Sequence, residues 1–579
     1  MSSSVIPLSD EIPESVAPNE AYRIDLVWTI ETVGIEAYGL RSQLEPIMKD
    51  EPNDRRDYTT EELREHLQEA KETVSDERRP EAVEQQHSTG KLTARERIAY
   101  LCDAGIFREF GRLAAPAPAT PETVDWDRSD APSDGIVTGI GEIDGRPVAV
   151  GATDFTVKGG SIGHTGFQKV RRIGKLALRR GFPLVLLHDG GGHRIQEGLD
   201  ARPYAHGGDF VFQTRLSGWA PQVSAMMGPG FAAPTNYAAT CDFVPMVEGQ
   251  STMGVAGPSL VKAALGVELD KAEIGGAEFQ TGMTGMADAA YADDEACLDS
   301  IKTFLSYLPQ NADEMPPTDS HFEPPTPNAA EQLSSIIPNN PKRGYDIYTA
   351  IEGLIDRESF FELKPRYARN IVTGFARFEG NSVGIVANNP RIKAGTFDVA
   401  ACDKSSHFIS LCDAFGLPLV FLMDVPGVLP GPDSEREGIA RHSGKVMFEI
   451  NRSTVPKVSV VLRRGYGFGY VLMAGGRSTD SELTIVWPTA EISAMGIEGA
   501  VDIVYRREIR DADNPERRRE ELVQKFINRT GAVRAVEDFG VDAAIDPTET
   551  RDWIVDSLDQ SRTEYEESWP PKKHGINPI

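Results

Sequence analysis

Short apolar runs bounded by Gly, Pro and polar residues mark buried strands, and three lie close together: Pro147 to Gly151, Pro183 to Leu187 and Val223 to Met227. Between them the period changes. From Gly166 to Arg180, the apolar positions Val170, Ile173, Leu176 and Ala177 fall on one helical stripe. Strand and helix alternating in this way predict α/β architecture with largely buried sheets. The longest apolar segments, Phe182 to Leu187 and Leu417 to Met423, are strand-sized. They fall far short of the roughly 18 to 20 residues of a membrane-spanning helix.

The same pattern is used twice. I-V-T-G at Ile136 returns at Ile371, and the 235-residue offset holds without a gap for about ninety residues: Lys158 falls on Lys393, Gly160 on Gly395, Lys169 on Lys404, Asp189 on Asp424 and Gly192 on Gly427. A unit this long is a domain, not a solenoid repeat. Proline is dense from Pro116 to Thr120 and again from Pro316 to Pro327, and the second stretch reads as the linker between copies. Upstream, Thr59 and Glu62 have capping-box spacing before Leu63 and Leu67. The expected division is a helical extension over 1–85 and tandem domains over 86–322 and 323–579.

Composition narrows the partners. Sixty basic residues against 88 acidic ones give a net charge of −28, which repels nucleic acid and anionic lipid. Five scattered cysteines without C-x-x-C spacing argue against a disulfide framework or a zinc ribbon, and no His, Cys and acid cluster has metal spacing. The N-terminus lacks a basic segment followed by an apolar one, so a reduced, cytoplasmic location is expected.

In each copy an apolar strand ends in Asp and then glycine: D-G-G-G-H-R-I-Q-E-G from Asp189 and D-V-P-G-V-L-P-G from Asp424. A second strand runs into a small-residue loop, M-M-G-P-G-F-A-A-P from Met226 and L-R-R-G-Y-G-F-G-Y from Leu462. Such turns expose main-chain N–H groups and bind oxyanions. Phosphate is disfavoured because the Walker and dinucleotide spacings are missing. G-G-S-I-G around Ser161 invites an ester-hydrolysis reading, but the second copy seats Thr396 there. The remaining oxyanion is an enolate beside a thioester, and two holes suit two carbonyl compounds held face to face. Asp189 and Asp424, at matching positions, are expected to brace the loops by accepting backbone N–H bonds.

These motifs resemble the carboxyltransferase (beta) subunits of biotin-dependent acyl-CoA carboxylases of the propionyl-CoA carboxylase type. The resemblance runs from about Glu84 to Arg507 and also takes in G-K-L-T-A-R-E-R-I at Gly90, D-F-T-V-K-G-G-S-I-G at Asp154 and W-P-T-A-E-I-S-A-M-G at Trp487. It implies two crotonase-like domains of β-β-α spiral type in a hexamer, with acyl-CoA on the first domain and biotin on the second domain of another protomer. The implied reaction moves a carboxyl group from N-carboxybiotin to an acyl-CoA, with the ureido anion of biotin taking the α-proton. Biotin would be carried by a partner subunit and loaded by a biotin carboxylase, because this chain has no M-K-M sequence or ATP loop.

Carried over, Gly191 and Gly192 match the oxyanion pair for the thioester enolate, and Phe468 and Gly469 the pair for the ureido oxygen. Gly159, Gly160, His193, Arg194, Tyr466 and Val471 would shape the substrate sites, and Arg171, Arg172 and Lys175, together with Arg194, would face CoA phosphates. Phe468 and Val471 depart from the Y-G-G-A-Y-D pattern, His193 stands where Ala is usual, and Ala232, Ala233 and Pro234 replace a Gly-rich stretch. The acyl group therefore stays open. Two other readings use the same residues: a biotin-dependent decarboxylase or transcarboxylase subunit, and a non-catalytic acyl-CoA-binding paralogue.

Overall fold

A computed structural model describes residues 58–116, 129–199, 210–560 and 574–576. Most of the 1–85 extension, and the proline-dense stretch beyond residue 116, lie outside the described residues. The chain forms two compact units, Met1–Glu65 and His66–Ile579. In the first, the capping box read from the sequence is present: Glu62 N donates to Thr59 Oγ1 at 3.3 Å, and Thr59 N donates to Glu62 Oε2 at 2.7 Å. The Thr60–Thr73 helix starts there.

The second unit contains two large sheets of the same plan. The seven strands of the first run in the order Phe107–Phe110, Ile136–Ile143, Arg146–Thr153, Leu184–His188, Gln222–Met226, Pro245–Val247, Ala289–Tyr291. The second runs Phe361–Leu363, Ile371–Phe378, Asn381–Asn388, Leu419–Val425, Lys457–Tyr466, Leu483–Val486, Ala543–Ala544, with Glu491–Ser493 also paired to Lys457–Tyr466. In each, an antiparallel hairpin leads into parallel strands with helical crossovers, the β-β-α spiral of the crotonase-like fold. The duplication extends to register. Ile136 pairs with Thr153 and Ile371 with Asn388; Ala149 pairs with Leu184 and Gly384 with Leu419; Leu184 pairs with Gln222 and Leu419 with Lys457.

The helix read from the Val170 stripe spans His164–Arg180 and ends on Gly181 in left-handed conformation, with Val170, Ile173 and Ala177 buried. Its counterpart is Val399–Ala414. Each helix carries a buried lysine that ties down the start of its hairpin. Lys169 Nζ donates to the carbonyls of Ser133 and Ile136, and Lys404 Nζ to those of Lys364, Tyr367 and Ile371. The sheets share a core. On the Asp294–Tyr307 helix, Phe304 lies between Phe243 and Phe375, with ring centroids 4.7 and 5.8 Å away. The Pro316–Pro327 stretch is anchored, not free: Asp319 N donates to Gly380 O at 2.9 Å, and Arg377 Nη1 to Pro317 O at 3.1 Å.

Candidate functional site

In the first half, three loops meet at the carboxyl ends of the parallel strands. Gly159 and Gly160 turn with φ of 63° and 69°, and Gly192 with 79°, conformations an L-residue enters only under strain. A Cβ on Gly160 would collide with Asp189 O, and one on Gly190 with Gly160 O, so the two glycine loops pack backbone on backbone. The third loop closes against them: Gly190 N donates to Pro229 O at 2.6 Å, and a Cβ on Gly192 would lie 2.8 Å from Phe231 O. Gly191, between them, is exposed with open space on its side-chain face, and among the described residues its N–H makes no hydrogen bond.

The second half repeats this frame with different donors. A Cβ on Gly395 would lie 2.8 Å from Asp424 O, the counterpart of the Gly160 approach. Ala232 and Gly467 occupy equivalent positions with φ of 63° and 55°, and helices start beside them, Ala233–Ala238 and Gly467–Leu472. The N–H groups of Phe468 and Gly469 lie in the first turn of their helix, where no intrahelical acceptor exists. Proline decides which pair each half can offer. Pro426 stands at the position of Gly191, and Pro234 at that of Gly469. Neither has an N–H, so the two candidate pairs are not equivalent by the repeat: one is on a strand-end loop, the other at a helix start.

Asp189 and Asp424 are fully buried braces, held mainly by cationic side chains. Asp189 receives Lys91 Nζ at 3.0 Å, Arg97 Nη2 at 2.9 Å and Gln86 Nε2 at 2.9 Å. Asp424 receives Arg463 Nη2 at 2.8 Å and Arg464 Nε at 2.6 Å, with one main-chain donor, Arg464 N, at 3.3 Å. Lys91 and Arg97 belong to the G-K-L-T-A-R-E-R segment, which thus reaches across to the first glycine loop. These partners have no signature in the sequence, because ion pairing over about a hundred residues leaves no local spacing to read.

Arg194 lies differently from the phosphate-facing side chain expected. It is 1% exposed, and its Nη1 contacts Asp134 Oδ1 and Glu197 Oε1 at 2.6 Å each, while Nη2 donates to Ser161 O at 3.0 Å. Its guanidinium fastens the two glycine loops together. Burial pushes the Asp134 carboxyl above its ordinary range despite that contact. The Arg194 to Glu197 spacing was legible; Asp134 was not.

His193 is half-buried and stacks on Phe167 with centroids 5.5 Å apart, and burial lowers its pKa, so the neutral ring is favoured beside Gly192. Arg171 and Arg172 are exposed on the His164–Arg180 helix, with Lys175 half-buried one turn on. Ser161 Oγ donates to Lys158 O at 2.9 Å. In the second half, Tyr466 is buried and donates its hydroxyl to Glu491 Oε2 at 2.6 Å; Phe468 is 40% exposed and Val471 half-buried on the same short helix. All five cysteines are buried thiols.

A duplicated crotonase-like domain with main-chain donors at its strand ends defines the class of enzymes that stabilise oxyanions of acyl thioesters. The carboxyl transferase domain model matches residues 85–576, and the chain belongs to that family, as a carboxyltransferase subunit of propionyl-CoA carboxylase type. It is 40% identical over 519 residues to the propionyl-CoA carboxylase carboxyltransferase subunit of Haloferax mediterranei, covering 90% of this chain and 98% of that one. Identity to the methylmalonyl-CoA carboxyltransferase 12S subunit of Propionibacterium freudenreichii is 39%, over 86% and 93% of the two chains. The crystal structure of a transcarboxylase 12S hexamer, with methylmalonyl-CoA and methylmalonic acid bound, superposes with a TM-score of 0.80 at 37% identity, covering 89% of this chain and 99% of that one. Members of this family move carboxyl groups between biotin and acyl-CoA.

Proposed function

We propose that this subunit carboxylates the α carbon of an acyl-CoA, with Gly191 and Gly192 holding the thioester oxygen and Phe468 and Gly469 holding the ureido oxygen of biotin. The observation that carries the assignment is the exchange of proline: Pro234 leaves the first half its strand-end pair, and Pro426 leaves the second half its helix-start pair. The second cradle suits a flat ureido group, because the Gly469 backbone lies so close to Val425 and Gly427 that a Cβ would sit 2.7 and 2.9 Å from them. Biotin, brought by a carrier subunit, supplies the carboxyl group. The N–H pair of Gly191 and Gly192 then stabilises the charge that builds on the thioester oxygen, and each such donor is worth roughly 2.7 to 4 kcal/mol in comparable sites.

Around this centre, Gly159 and Gly160 shape the floor, His193 and Phe167 form a wall, and Arg171, Arg172 and Lys175 offer charge to CoA phosphates. Arg194 positions both loops from beneath. Val471 and Tyr466 border the biotin side, and an apolar Val471 favours an acyl group without a charged partner there. The division at 86–322 and 323–579, a hexamer joining the first domain of one protomer to the second domain of another, a biotin carboxylase partner and a cytoplasmic setting complete the reading.

The similarity to the methylmalonyl-CoA decarboxylase alpha subunit of Propionigenium modestum, 38% identical over 522 residues, favours a second reading in which the same site runs in reverse. The test is reconstitution with a biotin carboxylase and a biotinylated carrier. Carboxylation of an acyl-CoA series, dependent on the biotinylated carrier, supports the first reading. Net loss of carboxyl from methylmalonyl-CoA coupled to a membrane partner supports the second.

A further inference from the structure

Behind the Gly467–Leu472 helix lies a cavity of about 250 Å³, bordered by Tyr470, Ile492, Arg529, Thr530, Arg534 and Gly540 among others. Its polar equipment is cationic in a chain of net charge −28. The Arg529 guanidinium lies 5.7 Å from the Phe526 ring centroid and pairs with no carboxylate among the described residues. Arg534 contacts Glu537 through one nitrogen, Nη1. Asp542, whose charge reaches Tyr470, is already engaged by Arg477 Nη2 at 2.6 Å and Thr484 N at 2.7 Å. Burial pushes the Tyr470 phenol up to about 12, so it enters as a donor, and its hydroxyl has no partner among the described residues. The space is open because residue 540 has no side chain: a Cβ there would meet only Ala535 O, at 3.6 Å.

We infer that this cavity binds a small oxyanion of the phosphate or carboxylate class, held by Arg529, Arg534 and the Tyr470 hydroxyl. Guanidinium groups and a phenol donor match such a ligand in charge and hydrogen-bonding capacity. Tyr470 is one residue from Gly469, and its ring packs against Gly465 and Gly475, where Cβ atoms would lie 2.8 and 2.5 Å from it. An anion here would steady the helix that carries Phe468. This site goes beyond carboxyl transfer and stands or falls independently of that assignment.

Isothermal titration of the full-length protein with inorganic phosphate, and separately with malonate, at constant ionic strength in chloride, tests the site. Saturable binding of either anion is expected, and which one binds tighter identifies the source. Arg529→Gln should weaken it roughly tenfold, the loss of one charge-assisted contact. Gly540→Leu should abolish it by filling the cavity. Thermal unfolding of both variants should match the unmodified protein, and basal activity should persist. No saturable binding, or binding unchanged in both folded variants, overturns the inference.

Discussion

Asp189 and Asp424 sit 235 residues apart at the ends of equivalent strands, each fully buried against two cations: Lys91 and Arg97 for the first, Arg463 and Arg464 for the second. The position is duplicated, but the cations come from opposite directions in the chain. Each carboxylate locks the root of a loop without reaching its tip.

Neutralising either aspartate strands buried cations, and breaking a buried pair in this way costs about 3 to 5 kcal/mol. Asp189→Asn and Asp424→Asn should therefore each shift urea unfolding markedly. A surface control, Arg510→Gln, whose contact to Asp511 is exposed, should unfold at the same urea concentration as the unmodified protein.

Ala232 and Gly467 occupy equivalent positions and both have positive φ, 63° and 55°, but only one is glycine. Holding alanine there costs about 1 to 2 kcal/mol, so Ala232→Gly should stabilise the protein by about 1 kcal/mol after the added chain entropy. Gly467→Ala should destabilise it by more, since a Cβ there would lie 2.7 Å from Ala494 O. Paired thermal melts check the opposite signs.

Asp242 supplies a pH dependence. Burial pushes its carboxyl up to about 8 from 3.8, with Asp288 adding to the rise and the Gln222 N–H opposing it. The folded protein thus holds a proton that the unfolded chain releases above about pH 4. Stability from this group is full below that point and is lost as pH rises toward 8. The stability of the unmodified protein relative to Asp242→Asn should be greatest below about pH 4 and decline as pH rises toward 8. A pH-independent difference would contradict the assignment.

Much of this was legible in the chain. The repeat was visible because strand-end glycines, buried lysines and bracing aspartates are fixed by backbone geometry, so their letters survive in both copies. The Thr59 cap and the Val170 stripe are local patterns, and both formed. Long-range pairing was not legible. Arg194 reads as a free basic residue beside a glycine loop, yet Asp134, sixty residues upstream, draws it inward. Lys169 and Lys404 read as ordinary helix cations but serve carbonyls. The non-equivalence of the two donor pairs follows from Pro234 and Pro426, whose meaning needs the superposed loops.

The role proposed for the Gly191 N–H, stabilising charge on the thioester oxygen, is measured by single-turnover carboxyl transfer from a carboxylated carrier. Gly191→Ala keeps the N–H and faces open space, so its rate should stay within about threefold. Gly191→Pro removes that donor and should lower the rate by about 100-fold or more, and retained oligomeric state and melting temperature would show that the ring itself is tolerated. A folded Gly191→Pro variant that transfers carboxyl groups as fast as Gly191→Ala would rule that role out.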